Sequence, residues 1–307
     1  MLRNEFQPTE GLEVRVNHPL AALFDQFLRE RRFLKNVTDA TLVWYRVAFK
    51  NYQALVPAAD ATLPTKATLQ HFVIALRERG ITPVTCNTYV GAMNAFCAWL
   101  YQEGHARERV KLAKLRVERR LLTLLDDAQI RALITFKPKT FRQSRVHLGA
   151  LLILDSGLRV SEMLHLRNGD VDCDNLILKV FGKGQKERLV PFSPELRRRL
   201  YRYHQLRAKK GIKSEFLFAG FEGSRWEKRN STTSLYLLQD KLGLPRFGWH
   251  RLRHTFATNY LRHGGDVVRL SMVLGHTQIT TTQRYLHLVP DDLSTQHQRV
   301  SILGRLG

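Results

Sequence analysis

The chain has 307 residues, 44% of them hydrophobic, a formal net charge of +22 and a pI near 10.4. That length admits two domains with ordinary cores, and the excess of Lys and Arg points first to nucleic acid and second to an anionic membrane surface. No apolar run approaches the roughly 18 residues a spanning helix needs, and the N-terminus does not read as a signal peptide. Three cysteines, Cys86, Cys97 and Cys173, show neither CxxC pairing nor metal-ligand spacing, so a reducing cytosol is the expected setting.

In chain order, residues 1–17 carry no periodicity and are expected to form an N-terminal arm. From 18 to 105 the pattern is helical throughout, with amphipathic runs at 19–33, 39–55, 66–79 and 84–102. Gly80 closes the third run, and Thr82-Pro83 opens the fourth as N-cap and first-turn proline. Four such helices predict a small all-α bundle. Residues 106–120 hold seven Lys or Arg against two Glu. A charge run of this kind is either a solvated helix face or a strap along a phosphate backbone. Its position between two globular patterns brings in the second reading. Lys111, Lys114, Arg116, Arg119 and Arg120 are then candidate DNA contacts. The formal charge is +2 before the run, +5 in it and +15 after it, so the second half is expected to hold the reacting phosphate.

The second pattern, 121–290, opens with a helix capped by Thr123 or Asp126 and running to Ile134. A longer apolar helix is predicted at 146–155, then a turn at 156–160 and a short helix at 161–167. Residues 170–192 change to strand character. Two apolar runs flank Gly182-Lys183-Gly184-Gln185, which predicts a β-hairpin with Lys183 at its tip. Helices resume at 194–209 and 231–241. The stretch 246–290 reads as three more helices. His250 and Arg253 stand three apart on one helical face. Gly275 caps the run Leu270, Val273, Leu274, with His276 directly after it. Thr277 is expected to cap a short helix carrying Tyr285. Cations and donors gathered at several helix ends suit an anionic ligand. The tail, 291–307, is polar and then apolar at Val300, Ile302 and Leu303.

The segments GLRVSEMLHL, FGKGQKERLVP, HRLRHTFAT and LGH, followed by Tyr285, resemble the tyrosine recombinase, or phage integrase, family, and its Xer-like members most. The resemblance implies a mainly α fold with a small β-hairpin or sheet (α+β). It also implies a two-domain, C-shaped DNA clamp: a helical core-binding domain at 18–105, a basic linker at 106–120 and a catalytic domain at 121–290. By motif, the family's active site falls on Arg159, Lys183, His250, Arg253, His276 and Tyr285. The implied partner is double-stranded DNA with inverted-repeat core sites. The implied assembly is a homo-tetramer on DNA, with accessory recombinase or DNA-bending proteins as further partners and the tail as a protomer–protomer contact. Neither a metal nor another cofactor is expected, and the implied location is cytoplasmic, at the nucleoid.

The implied reaction suits these residue types. A tyrosine attacking a DNA phosphate conserves the bond as a 3′-phosphotyrosine, so religation needs no ATP. Strand exchange then passes through a Holliday junction, in integration, excision, transposition or resolution. Arg159 and Arg253 would hold the nonbridging oxygens, Lys183 would protonate the leaving 5′-oxygen, His250 would act as base or shuttle, and His276 would donate to a phosphate oxygen. Lys186 and Arg188, on the same hairpin, are expected at the DNA backbone. Glu162, three residues after Arg159, is expected to orient an arginine, and His254 to be a structural hydrogen-bonder. Asp170, Asp172 and Asp174 imitate half a calcium loop, but Asn175 and Phe181 stand where glycine and the bidentate Glu belong. A non-catalytic DNA-binding protein and a type IB topoisomerase are the alternative classes. Pure binding would need neither Tyr285 nor Lys183, and the short helical first domain speaks against a topoisomerase.

Overall fold

The structure, a computed structural model, describes residues 20–57, 63–118, 123–182, 187–220, 223–276 and 278–286. The expected arm at 1–17 and tail at 291–307 lie outside them, as do Arg119, Arg120, Lys183, Lys186 and Thr277. The chain divides into two compact units, residues 1–120 and 121–307.

The first unit holds α1 (Leu20–Phe33), α2 (Asp39–Leu55), α3 (Lys66–Glu78) and α4 (Pro83–Gln102). The hydroxyls of Thr38, Thr65 and Thr82 accept from the amides of Thr41, Thr68 and Thr85, so each of the last three helices starts at a threonine cap. The apolar faces close on an aromatic cluster. Phe24 stacks on Phe49 with centroids 3.9 Å apart and meets Phe96 edge-on at 5.1 Å.

No helix forms over 106–118; the basic run is held on α4 by two matched pairs of hydrogen bonds. Asn94 donates to the Leu112 carbonyl at 2.9 Å and accepts from the Leu112 amide at 2.9 Å. Asn87 does the same with Leu115, at 2.8 and 2.7 Å. Asn87 and Asn94 stand two helical turns apart on one face of α4, which sets the spacing of the two clamps. Leu112 and Leu115 pack against the core, while Lys111, Lys114 and Arg116 remain exposed. Of the two readings of this charge run, the helix face is therefore excluded for 106–118.

The second unit is built around α6 (Phe141–Ser156), with α8 (Pro194–Lys209), α9 (Lys228–Leu242) and α10 (Trp249–Arg262) packed on it. It is buried on nearly every side, including Leu148, Leu151, Leu152 and Ile153. This helix begins five residues before the predicted start, because Thr140 caps it by accepting from the Gln143 amide. The charged first turn hides that start in the sequence. Arg145 is nonetheless buried, its guanidinium 4.3 Å from the Trp226 ring.

Before α6 lies α5 (Asp127–Thr135), capped by Asp126; after it come α7 (Val160–His165) and a three-stranded antiparallel sheet. The strands are β1 (Val171–Asp172), β2 (Ile177–Phe181) and β3 (Glu187–Pro191), with Leu178 opposite Val190 and Phe181 opposite Glu187. Asp172 accepts from the amides of Asp174 and Asn175 and from the Asn175 side chain. Asp172 thus serves the β1–β2 turn, while Asp170 accepts from the Arg167 amide ahead of β1. The chain ends its described part with α11 (Val267–Leu274) and α12 (Thr280–Gln283).

Candidate active site

Two glycine-capped helix ends frame the site. Gly157 ends α6 at φ 67° and Gly275 ends α11 at φ 63°. A Cβ on Gly157 would lie 2.4 Å from Phe256, and one on Gly275 would lie 2.9 Å from Arg188, so both caps also depend on close approach. Their carbonyls receive the arginines: Arg253 Nη1 donates to Gly157 O at 2.7 Å, and Arg159 Nη2 to Gly275 O at 3.0 Å. A second bond from Arg253 Nη2 reaches the Leu274 carbonyl at 2.8 Å. Cationic side chains at helix C-termini meet the negative end of each dipole.

Beneath these arginines sits Glu162, in the first turn of α7 and only 7% exposed. Arg159 pairs with it at 2.8 Å, Arg188 engages both of its oxygens at 2.8 and 2.9 Å, and Arg253 lies 4.0 Å away. The Arg159 amide also donates to Glu162, at 2.7 Å, which caps α7. Burial pushes the Glu162 carboxyl up, but the bonds and charge of Arg188, with those of Arg159, outweigh it and hold the group below its ordinary value. One carboxylate thus serves three guanidiniums, and the surplus of positive charge faces the rest of the site. Burial and the nearby Arg159 bring Arg253 down to about 10, still charged at neutral pH.

His276, directly after the Gly275 cap, accepts from Arg253 Nη2 at 3.0 Å through Nε2, and its Nδ1 meets Thr282 Oγ1 at 2.7 Å. An arginine can only donate, so Nε2 is the bare nitrogen and Nδ1 carries the hydrogen. His276 is thus engaged at both nitrogens. Burial and Arg253 lower it to about 4. His250, in the first turn of α10, keeps part of its surface in water, and the partial loss of solvent around its ring together with the charge of Arg253 lowers it. Tyr285 follows α12 and is 1% exposed, packed with Ala257, Leu261, Leu270 and Leu274. Its hydroxyl lies 2.8 Å from His254 Nδ1.

Of the residues singled out in the sequence, Arg159, His250, Arg253, His276 and Tyr285 are gathered in one place: at the start of α7, on α10, and just beyond the ends of α11 and α12. Arg188 differs from its expected place at the DNA backbone. Its side chain is 13% exposed, and besides Glu162 it donates to the Val273 carbonyl at 2.9 Å. The reason lies in the strand: Val190 points into the core, so Arg188, two residues earlier, shares that face, while Leu189 between them is 60% exposed. The roles of Thr282, of the two glycine carbonyls and of His254 on the tyrosine were not read from the sequence. The one signal was the place of His254 on the helical face of His250, which marks it as a structural hydrogen-bonder without naming Tyr285 as its partner. Among the described residues, no group of three or more His, Cys, Asp or Glu could hold a metal ion, and no helix is long and apolar enough to cross a membrane.

Residues 123–291 match the phage integrase family. The tyrosine recombinase XerA of Thermococcus onnurineus is 31% identical over 239 residues, which span 76% of this chain and 82% of the relative. The tyrosine recombinase XerD of Yersinia pestis is 29% identical over 291 residues, 90% of this chain and 96% of the relative. Among solved structures, the Tn1549 transposon integrase in complex with transposon right end DNA superposes with a TM-score of 0.77 at 20% identity, covering 92% of this chain and all (100%) of the other. XerH bound to palindromic difH substrate, a post-cleavage complex, gives 0.68 at 19% identity, covering 91% and 84%. The chain belongs to the phage integrase family of tyrosine recombinases, enzymes of site-specific recombination that break and rejoin DNA.

Proposed function

We propose that the protein cleaves and rejoins the strands of double-stranded DNA through a covalent 3′-phosphotyrosine at Tyr285, and exchanges them through a Holliday junction. The observation that carries this reading is the set of three arginines around the single buried carboxylate of Glu162, beside a tyrosine. A pentavalent phosphate transition state brings the negative charge that this surplus is arranged to meet. In cleavage, a bond forms between Tyr285 Oη and phosphorus, and the bond to the 5′-oxygen breaks. The tyrosine proton, held toward His254 in the unbound protein, is taken up by His250 as base or shuttle as the phenol attacks, and Lys183 supplies a proton to the departing oxygen. Arg159, a third of whose side chain (33%) is exposed, and Arg253 hold the nonbridging oxygens. His276 joins them only when Arg253 has released Nε2 and that nitrogen has gained a hydrogen, by protonation or by a shift of the tautomer that now keeps the hydrogen on Nδ1. Rejoining reverses the steps with a new 5′-hydroxyl, without ATP and without metal.

The substrate in this reading is a core site of inverted repeats, since relatives of the same fold are described on a palindromic substrate and as a dimer on a core site. Two such sites bring four protomers together, and accessory recombinase or DNA-bending proteins can set their alignment. Action on the nucleoid places the protein in the cytoplasm. Lys111, Lys114 and Arg116, with Arg119, Arg120 and Lys186, supply phosphate contacts.

The test is a nicked duplex whose cleavage releases a short fragment and traps the adduct. The wild-type protein forms a covalent complex, and Tyr285→Phe forms none while keeping its mobility shift. A wild-type mobility shift with no adduct would identify a DNA-binding protein without the chemistry.

A further inference from the structure

The tyrosine hydroxyl makes no hydrogen bond to Arg159, His250, Arg253 or His276, the other described residues assigned to the reaction. Its hydrogen-bond partner among the described residues is His254, whose Nδ1 lies 2.8 Å from Oη. His254 follows Arg253 on α10, and its ring sits 5.7 Å from the Tyr285 ring and 6.4 Å from that of His250. The Arg284 guanidinium lies over the Tyr285 ring at 5.2 Å and 3.4 Å from the His254 imidazole. Burial and the charge of Arg284 keep His254 neutral, at about 4, and in the tautomer with the hydrogen on Nε2 the Nδ1 lone pair accepts from the phenol.

This bond does something the packing around the tyrosine cannot. Ala257, Leu261, Leu270 and Leu274 grip the ring of Tyr285, but apolar contacts fix neither the depth of the ring nor the aim of its oxygen. A single acceptor at a set point on α10 fixes both. The same helix carries Arg253 and His250, so the oxygen is referenced to the phosphate-holding residues through one rigid element. We propose that His254 is a positioning residue for the nucleophile, holding the Tyr285 hydroxyl by Nδ1 on the face of α10 that carries His250. The inference rests on the reading of Tyr285 as the nucleophile.

The experiment uses His254→Asn, His254→Phe and His254→Ala in the full chain, with the nicked trapping duplex. The Asn Oδ1 stands close to where Nδ1 stood and can accept the bond; Phe fills the space without an acceptor. Single-turnover adduct formation should fall roughly 10- to 100-fold in the Phe and Ala variants, the size expected when a reacting atom loses its aim. His254→Asn should stay within a few-fold of wild type, and affinity for the duplex should be unchanged in all three. Thermal unfolding of each variant confirms that it folds. Wild-type rates in His254→Phe, or an Asn variant as slow as Phe, would overturn the proposal; the Asn–Phe comparison decides even if the Ala variant does not fold. Tyr285→Phe is run alongside. Adduct formed by that variant would remove the nucleophile assignment itself, an outcome distinct from any behaviour of the His254 series.

Discussion

Arg188 and Glu162 meet fork to fork, Nη1 on Oε1 at 2.8 Å and Nη2 on Oε2 at 2.9 Å, so a hairpin arginine that could have faced solvent instead anchors the sheet to α7. A planar bidentate pair with a carboxylate is within reach of a guanidinium and not of an ammonium. Without Arg188, Glu162 keeps Arg159 as its close partner, so the loss should fall below the roughly 3 kcal/mol typical of a buried charge left with none. Arg188→Ala should therefore lower the thermal stability of the second unit clearly, and Arg188→Lys should recover only part of it, since an ammonium cannot fork. The salt dependence of DNA binding should not change. A slope of log affinity against log salt reduced by about one would show that Arg188 meets a phosphate after all.

The histidines of the site set an acid limit. His254 and His276 are both lowered from 6.5 to about 4 in the folded protein. Their unfolded counterparts take up protons near 6.5, so between about 6.5 and 4 the unfolded state binds more protons than the folded one. The stability tied to these two groups is fully present above 6.5, is lost as pH falls toward 4, and changes no further below. Proton NMR should find two imidazoles without an inflection between pH 5.5 and 8. Either ring titrating near its ordinary value would contradict the bonding assigned to it.

The Asn87 and Asn94 clamps turn Lys111, Lys114 and Arg116 outward on a chain with no helix of its own. If these side chains lie on phosphates, replacing all three by Ala should reduce the salt slope by roughly 2 to 3 and weaken all duplexes about equally. Replacing both asparagines by Ala should produce part of the same loss with every charge still present. An unchanged slope in the triple variant would leave the strap with no contact to DNA.

Lys183 and Arg159 are given different tasks, and one substrate separates them. A 5′-bridging phosphorothiolate leaves as a thiolate without needing a proton. It should restore cleavage to Lys183→Ala and leave Arg159→Ala slow, because the arginine acts on nonbridging oxygens. Equal rescue of the two variants would erase the distinction.

Helix periodicity and capping residues made most of the fold legible: Thr82-Pro83, Asp126 and Gly275 act as the sequence suggests. The start of α6 was not legible, because its first turn carries arginines, one of them buried through stacking on Trp226. Neither was the inward turn of Arg188. Hydropathy favours Leu189 for the core, and only the strand period set by Val190, together with a carboxylate 26 positions back in the chain, places the arginine inside. That Arg159, His250, Arg253, His276 and Tyr285 belong together was implied by the family motifs, while spacing alone paired only His250 with Arg253 and put His276 and Tyr285 at later helix ends. What joins them was not legible. The carbonyls of Gly157 and Gly275 carry no side-chain signature, and the bond from Tyr285 to His254 spans 31 residues.

The central claim is that Tyr285 becomes covalently joined to DNA. The most direct measurement is peptide mapping by mass spectrometry of the adduct trapped on a nicked duplex, after nuclease trimming. The account predicts one modified peptide, containing Tyr285 and carrying a nucleotide through its 3′-phosphate. A 5′-phosphate linkage, or attachment to any other tyrosine, would contradict it.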